Sequence, residues 1–140
     1  MDWIFGRLAC GSTEDAELIT PSGMTAIMTL CEVPMANRHR LIHYAHLPIP
    51  DEVWLPPDVW KERVGELAHL LGVCRLTVLV HCRLGVSRAP ALCAAYLMHC
   101  GMAPDEARDY VQARRAVTNT HRETWRGVME WWDGYGKSTR

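Results

Sequence analysis

The feature that most constrains the fold is a short apolar segment, residues 76–80, that leads through a tight turn into a helix. Its sequence LTVLV has the β-branched composition of a buried strand. The next eight residues, HCRLGVSR, contain one glycine, and Pro90 then stands in the first turn of an apolar helix that ends before Gly101. A buried strand followed closely by a helix is the building unit of α/β proteins, so this class is expected.

The rest of the chain continues this alternation of strands and helices. Three further apolar segments predict strands: residues 3–8, 24–30 and 41–46. Helices are expected to begin after Ser12, at Pro57, at Pro104 and at a capping box formed by Thr120 and Glu123. The predicted fold is therefore α/β, with a central, mostly parallel sheet flanked by helices and a helical C-terminal third. In such sheets ligands bind beyond the carboxyl ends of the strands, which points to the residues after 76–80.

Length and charge exclude several classes of protein. The chain has 140 residues, and we predict a single domain over residues 1–140. A net charge of −1 argues against a nucleic-acid or membrane partner bound by bulk charge. The most apolar run, residues 89–98, is about half the ~20 residues that a membrane-spanning helix needs. Asp2 stands where a secretory signal would be basic. A cytoplasmic location is expected.

The cysteines indicate thiols rather than disulfides or a metal site. There are six, at positions 10, 31, 74, 82, 93 and 100, and they form no C-x-x-C pair. Cysteine and histidine are not clustered at zinc-ligand spacing, so neither a metal nor a cofactor is predicted.

The turn at residues 81–88 has the features of an anion-binding site next to a thiol. Unpaired backbone N–H groups and the positive end of the helix dipole converge where the helix begins at Arg88. Gly85 allows a ligand to approach the backbone, and Arg88 can donate two parallel hydrogen bonds to an oxyanion. Thiols held at helix N-termini beside cations ionise readily, so Cys82 is expected to be a nucleophile.

The run VLVHCRLGVSR, residues 78–88, resembles the His-Cys-x-x-Gly-x-x-Arg signature of the cysteine-dependent protein phosphatases. The serine before the arginine, the short chain and the following AAYLM helix are most similar to the dual-specificity branch of that family. Three flanking segments resemble it as well: residues 23–30, 46–51 and 107–115.

The resemblance implies a role for each residue of the signature and for two outside it. Cys82 would attack phosphorus to form a cysteinyl-phosphate, and the Arg88 side chain would hold the phosphoryl oxygens. His81 would orient the loop, and Asp51 would protonate the leaving oxygen and then activate water. Arg115 would lie near the pocket and bind a second anion. The phosphate would also be held by backbone N–H groups of Arg83, Leu84, Gly85, Val86, Ser87 and Arg88.

Several of these assignments have alternatives. Glu52 and Asp58 compete with Asp51 as the general acid. Ser87 is either a loop hydroxyl or a hydrogen-bond donor to the Cys82 thiolate. The alternative for Arg115 is a solvated surface charge.

Two positions outside those assignments raise further questions. Cys31 is a buried strand-end thiol or, less favoured, a resolving thiol that would form a disulfide with oxidised Cys82. Ala89 departs from the family, which has serine or threonine after the signature arginine, so slow breakdown of the cysteinyl-phosphate is predicted.

The predicted function is hydrolysis of phosphomonoesters on phosphoproteins, with no cofactor. A chain of this length has few residues left for loops that would deepen the pocket. Because a shallow pocket also admits shorter side chains, phosphoserine and phosphothreonine are expected as substrates beside phosphotyrosine. Phosphoinositide and RNA 5′-phosphate substrates remain open, as does a catalytically silent phosphate-binding module. A sulfurtransferase or an arsenate reductase is disfavoured by Arg88 and by the position of the loop past the middle of the chain.

Overall fold

A five-stranded sheet forms the centre of the protein in the computed structural model, which describes residues 1–19, 24–36, 41 and 43–139. The strands are β1 (Asp2–Phe5), β2 (Leu8–Gly11), β3 (Ala26–Thr29), β4 (His43–His46) and β5 (Val78–His81). Their order across the sheet is β1-β2-β5-β3-β4. All pairs are parallel except β1 with β2. The mostly parallel sheet is confirmed; Gly23 and Ile42, which fall in the segments predicted above, lie outside the described residues.

Helices cover both faces of the sheet. They are α1 (Thr13–Ile19), α2 (Pro57–Ala68), α3 (Arg88–His99), α4 (Pro104–Arg114) and α5 (Arg122–Gly134). A π-helical turn, His69–Val73, follows α2, and a short 3-10 helix, Gly136–Thr139, follows α5. None of the described helices is long and apolar enough to span a membrane. Since α4 and α5 occupy most of the chain after residue 103, the predicted helical C-terminal third is confirmed.

Alternation along the strands divides the core into two layers. Leu8 and Cys10 of β2 face the larger cluster, which includes the buried side chains of α2, α3 and α5. Ala9 faces the other way and packs with Ala16 of α1. Helix α3 is buried along almost its whole length, because small residues such as Ala94 let it lie close to the sheet.

Two sequence expectations differ from the structure. The predicted strand at residues 3–8 is the hairpin of β1 and β2, which turns at Gly6 with a φ of 56°. Glycine adopts this left-handed conformation without steric cost, so the chain reverses instead of continuing as one strand. The predicted capping box at Thr120 is wrong: His121 is the N-cap of α5, and its ring Nδ1 accepts from the Glu123 N–H at 3.2 Å.

Candidate active site

The carbonyl groups of the loop between β5 and α3 point away from its centre and are held by other parts of the chain. Gly85 O accepts from Arg115 Nε at 2.6 Å, and Val86 O accepts from Asn119 N at 2.8 Å. Three further carbonyl contacts are Arg83 O with Thr13 N at 3.1 Å, Leu84 O with Arg115 Nη2 at 3.4 Å and Ser87 O with Ala91 N at 2.9 Å. The carbonyl oxygens on the outer side of the loop thus all accept hydrogen bonds from other parts of the chain.

The backbone N–H groups of the same loop face its centre. In a trans peptide the carbonyl and the following N–H point in opposite directions, so carbonyls turned outward place the N–H groups inward. Within the described part of the chain, the N–H groups of residues 83–87 donate to no protein acceptor. The N–H of Ala89 donates to Cys82 Sγ at 3.4 Å. The sulfur therefore lies beside a concave array of donors, which is a binding site for an anion.

Gly85 is essential to this geometry. Its φ is +69°, and a Cβ built there would lie 2.5 Å from Gly11 O and 2.5 Å from Arg115 Nη2. Any larger side chain would have to displace the end of β2 or the guanidinium that holds the loop.

The loop forms the floor of a cavity of about 650 Å³. Its walls come from the loop itself, from the segment after β4 and from the connection between α4 and α5. The lining residues are Asp51, Glu52, Cys82, Arg83, Leu84, Val86, Ser87, Arg88, Asn119, Thr120, His121 and Arg122. Cys82, only 2% exposed, is thus reached through this opening.

The Arg88 guanidinium is buried and fixed by three oxygens. Its Nη1 donates to Ile49 O at 3.0 Å and to Glu32 Oε1 at 3.3 Å. Its Nε lies 3.6 Å from Asp51 Oδ1. These contacts hold the guanidinium group of Arg88 on the cavity wall beside Cys82. The sequence did not indicate Glu32 as a partner of Arg88.

The structure separates the three candidate general acids. Asp51 and Glu52 both line the cavity, and Asp51 contacts Arg88. Asp58 lies elsewhere, because its Oδ1 accepts from the Tyr135 hydroxyl at 2.6 Å. Glu52 has a φ of 58°, a conformation that is costly for a residue with a side chain, and it turns the chain directly after Asp51.

A chain of hydrogen bonds orients His81 beneath the loop. The Tyr44 hydroxyl donates to Thr29 Oγ1 at 2.9 Å, and Thr29 Oγ1 lies 2.7 Å from His81 Nε2. Since the Cys82 carbonyl oxygen can only accept, the proton of the neutral imidazole resides on Nδ1, and Nε2 accepts from the Thr29 hydroxyl. His81 Nδ1 then donates to Cys82 O at 3.4 Å. The imidazole positions the backbone of Cys82 and does not line the cavity.

Burial lowers the pKa of His81 to about 4 from its ordinary 6.5. Between these two values the unfolded chain binds a proton that the folded chain does not, so stability falls as the pH falls. We expect the free energy of unfolding to decrease by about 2 kcal/mol from this group between about pH 7 and pH 5. Urea unfolding at both pH values measures the effect. His81→Asn should reduce this pH dependence, and an unchanged slope in the variant would contradict the assignment.

Two predicted site residues have partners other than those expected from the sequence. Arg115 is 7% exposed, and its Nη1 pairs with Asp2 Oδ2 at 2.8 Å, while its Nε holds Gly85. It lies on the outer, carbonyl side of the loop, it is not among the residues that line the cavity, and it is too buried to be a solvated surface charge. The Ser87 hydroxyl accepts from His121 N at 2.9 Å, and no hydrogen bond joins it to Cys82 in the described chain.

Cys31 lies close to the loop but does not line the cavity above Cys82. Its Sγ is 3.7 Å from Thr13 Oγ1, and Thr13 Oγ1 is 3.4 Å from Cys82 O. Cys31 is 5% exposed, as expected for a buried strand-end thiol.

Sequence reasoning missed the residues that complete the cavity from a distance. Thr13 and Asn119 hold loop carbonyls, while Thr120, His121 and Arg122 form a wall. The polar run TNTHR, residues 118–122, carries the only signal, because it is too polar for a core segment and precedes a helix.

Comparisons with known proteins agree with this geometry. The sequence matches the family model described as dual specificity phosphatase, catalytic domain, over residues 21–133. Human dual specificity protein phosphatase 14 is 32% identical over 125 residues, which is 87% of this chain and 63% of that protein. Mouse dual specificity protein phosphatase 2 is 28% identical over 110 residues, which is 78% of this chain and 35% of that protein. The chain thus spans less than two thirds of the length of these relatives.

Solved structures share the fold over nearly the whole chain. Human DUSP28 superposes with a TM-score of 0.85 at 19% identity and 99% coverage of both chains. The human tyrosine phosphatase-like serine/threonine/tyrosine-interacting protein gives a TM-score of 0.83 at 26% identity, with 96% of this chain and 97% of that chain covered. Since the family model covers most of the sequence, the protein belongs to the dual specificity phosphatase family, within the cysteine-dependent protein phosphatases.

Proposed function

We propose that this protein hydrolyses phosphomonoesters of phosphoproteins through a cysteinyl-phosphate on Cys82. The observation that supports this most directly is the orientation of the loop at residues 82–87, with carbonyls held outside and N–H groups inside. Such an array stabilises the equatorial oxygens of a phosphoryl group as it is transferred, and Arg88 adds a planar donor on the same wall.

The reaction takes two displacements. Cys82 Sγ attacks phosphorus, the bond between phosphorus and the ester oxygen breaks, and Asp51 gives that oxygen a proton. Asp51, now a carboxylate, takes a proton from water as the water oxygen attacks the cysteinyl-phosphate. Inorganic phosphate leaves, and Cys82 is again a thiolate that accepts from the Ala89 N–H.

The proposed substrates are phosphotyrosine, phosphoserine and phosphothreonine side chains. The cavity is open between the turn at Asp51 and Glu52 and the start of α5, which suits side chains of different length. A cytoplasmic location, as expected from the sequence, is part of the same proposal.

Breakdown of the intermediate is the slow step in this proposal, because Ala89 offers no hydroxyl to the departing thiolate. Wild-type protein quenched in acid during turnover of an aryl phosphate should carry one phosphoryl group on the Cys82 peptide in mass spectrometry. One added hydrogen bond contributes about 1 kcal/mol, so Ala89→Ser should raise kcat about fivefold and lower the trapped fraction. If no phosphoryl group is trapped and the first step limits turnover, slow breakdown is ruled out.

The acid role of Asp51 depends on the leaving group. Asp51→Asn should slow hydrolysis of phosphoserine peptides about a hundredfold or more, since a serine alkoxide needs a proton to leave. An aryl phosphate with a good leaving group should lose less than about threefold. Steady-state kcat/KM on both substrates measures the contrast, and Glu52→Gln is the matched control on the same turn. A larger loss in Glu52→Gln would transfer the role to Glu52.

A catalytically silent phosphate-binding module is the second candidate. Ala89 favours it, and so does the likeness to a solved protein whose name describes it as tyrosine phosphatase-like and interacting. This candidate requires that phosphate or a phosphopeptide bind at the cavity without any vanadate-sensitive hydrolysis. Cys82-dependent turnover of an aryl phosphate would dismiss it.

A further inference from the structure

Trp54 joins the segment that carries Asp51 to helix α5. Its indole N–H donates to Glu130 Oε2, and the Arg126 guanidinium carbon lies 5.3 Å from the centre of its ring. Arg126 is itself held in place, because its Nε donates to Glu123 Oε2 at 2.9 Å. Trp54 therefore contacts a charged hydrogen-bond acceptor and a cation on the same surface of α5.

The backbone next to Trp54 also lies directly on α5, at a glycine. A Cβ built at Gly127 would be 3.0 Å from Leu55 O and 2.7 Å from Trp60 Nε1. Because the helix has no side chain at this position, the chain after Trp54 approaches it closely. The side-chain contacts of Trp54 thus add to a close backbone approach, and together they fix this part of the chain on α5.

The chain around Asp51 is fixed at two points, one on each side of this residue. Before it, the N–H and the carbonyl of Ile49 both form hydrogen bonds with other parts of the protein. Residues 50–53, which we call the acid segment, are exposed and make no backbone–backbone hydrogen bond with another described residue. Apart from the contact of Asp51 with Arg88, the position of the acid segment therefore depends on Ile49 and Trp54.

We propose, on the basis of the phosphatase function above, that Trp54 is a positioning residue for Asp51. The start of α5 lines the cavity, so a segment held on this helix is also held at the cavity. There Asp51 can give a proton to the leaving oxygen. Without the contacts of Trp54, the acid segment would move away from α5, and a smaller fraction of the molecules would have the acid in place.

The test compares two esters of similar shape, phenyl phosphate and para-nitrophenyl phosphate. Phenolate is the poorer leaving group, so its ester depends more on the acid. The readout is kcat/KM, which reports formation of the cysteinyl-phosphate and is therefore unaffected by slow breakdown. Trp54→Ala should lower it about five- to tenfold for phenyl phosphate and less than about twofold for the nitrophenyl ester. Trp54→Phe, which keeps a ring but lacks the N–H, should lose about threefold on phenyl phosphate.

The same substitution in Asp51→Asn shows whether Trp54 acts through the acid. Once the acid is absent its position no longer matters, so Trp54→Ala should cause no further loss on phenyl phosphate. Trp3→Ala is the matched control, because Trp3 is a 51% exposed tryptophan on the edge strand β1. This control should leave kcat/KM unchanged for both esters.

Glu130→Ala tests the same contact from the side of the helix. It removes the hydrogen-bond acceptor and leaves the tryptophan intact, and it should lower kcat/KM for phenyl phosphate about threefold. Equal losses on the two esters in Trp54→Ala would show a merely structural role and overturn the proposal. An unchanged kcat/KM, or a further loss in the Asp51→Asn background, would overturn it as well.

The result is separable from that for the proposed function. If wild type hydrolyses both esters in a Cys82-dependent way but Trp54→Ala does not change the ratio of their kcat/KM values, only this inference fails. If wild type hydrolyses neither ester, both fail.

Discussion

Replacing Cys82 by serine is expected to reduce phosphatase activity by at least about a thousandfold. Sulfur is a much stronger nucleophile than a serine hydroxyl oxygen, and the Ala89 N–H donates to Cys82 Sγ at 3.4 Å. The substitution is nearly isosteric and Cys82 is buried, so the cradle and its anion affinity should persist. Initial rates on an aryl phosphate and calorimetric binding of vanadate would show the loss and the retention together.

Cys74 provides the control for a thiol effect elsewhere. It is exposed and lies before β5, far from the loop in the fold, so Cys74→Ser should retain full activity. An equal loss in both variants would indicate general damage. Retained hydrolysis in Cys82→Ser would remove this residue as the nucleophile.

Gly85→Ala is expected to destabilise the protein by about 2–3 kcal/mol and to reduce activity by about a hundredfold or more. The added Cβ would lie 2.5 Å from Gly11 O, and backbone of a central strand cannot move away cheaply. It would also displace the Arg115 guanidinium that holds Gly85 O at 2.6 Å. The N–H groups of the loop would then no longer converge on the phosphoryl oxygens.

Gly6→Ala separates the two causes of this effect. Gly6 has a similar φ of +56°, but a Cβ there meets nothing within 4 Å. It should therefore cost only the backbone strain, about 1 kcal/mol, with activity unchanged. Chemical denaturation and kcat/KM for both variants measure the contrast, and equal effects would show that conformation alone matters at Gly85.

Local patterns in the sequence were sufficient for the fold class and for the centre of the site. Strand, turn and helix follow one another at residues 76–99, and the signature places Cys82 and Arg88 on the same loop. The hairpin of β1 and β2 was missed, because Leu8 continues the apolar run across the turn at Gly6. Apolar character predicts burial, but it does not show where a chain reverses.

Contacts between distant residues could not be predicted. Arg115 resembled an anion ligand, yet it supports the loop from outside, and only the packing of α4 against β1 places it beside Asp2. Asp58 is not in the cavity because its carboxylate accepts from the hydroxyl of Tyr135, a residue 77 positions after Asp58 in the chain. Such choices depend on tertiary geometry, and spacing in the sequence does not encode them.

The hydrogen bonds that hold the carbonyl groups of the loop between β5 and α3 have a consequence for folding. Thr13, Arg115 and Asn119 reach the loop from segments that are far apart in sequence, and each must be in place before the donors converge. An isolated peptide of strand, turn and helix would therefore lack the ability to capture an oxyanion. During refolding, catalytic competence should return after helical circular dichroism, since the last long-range closure creates the site. The proposed activity would therefore appear only after these long-range contacts have formed.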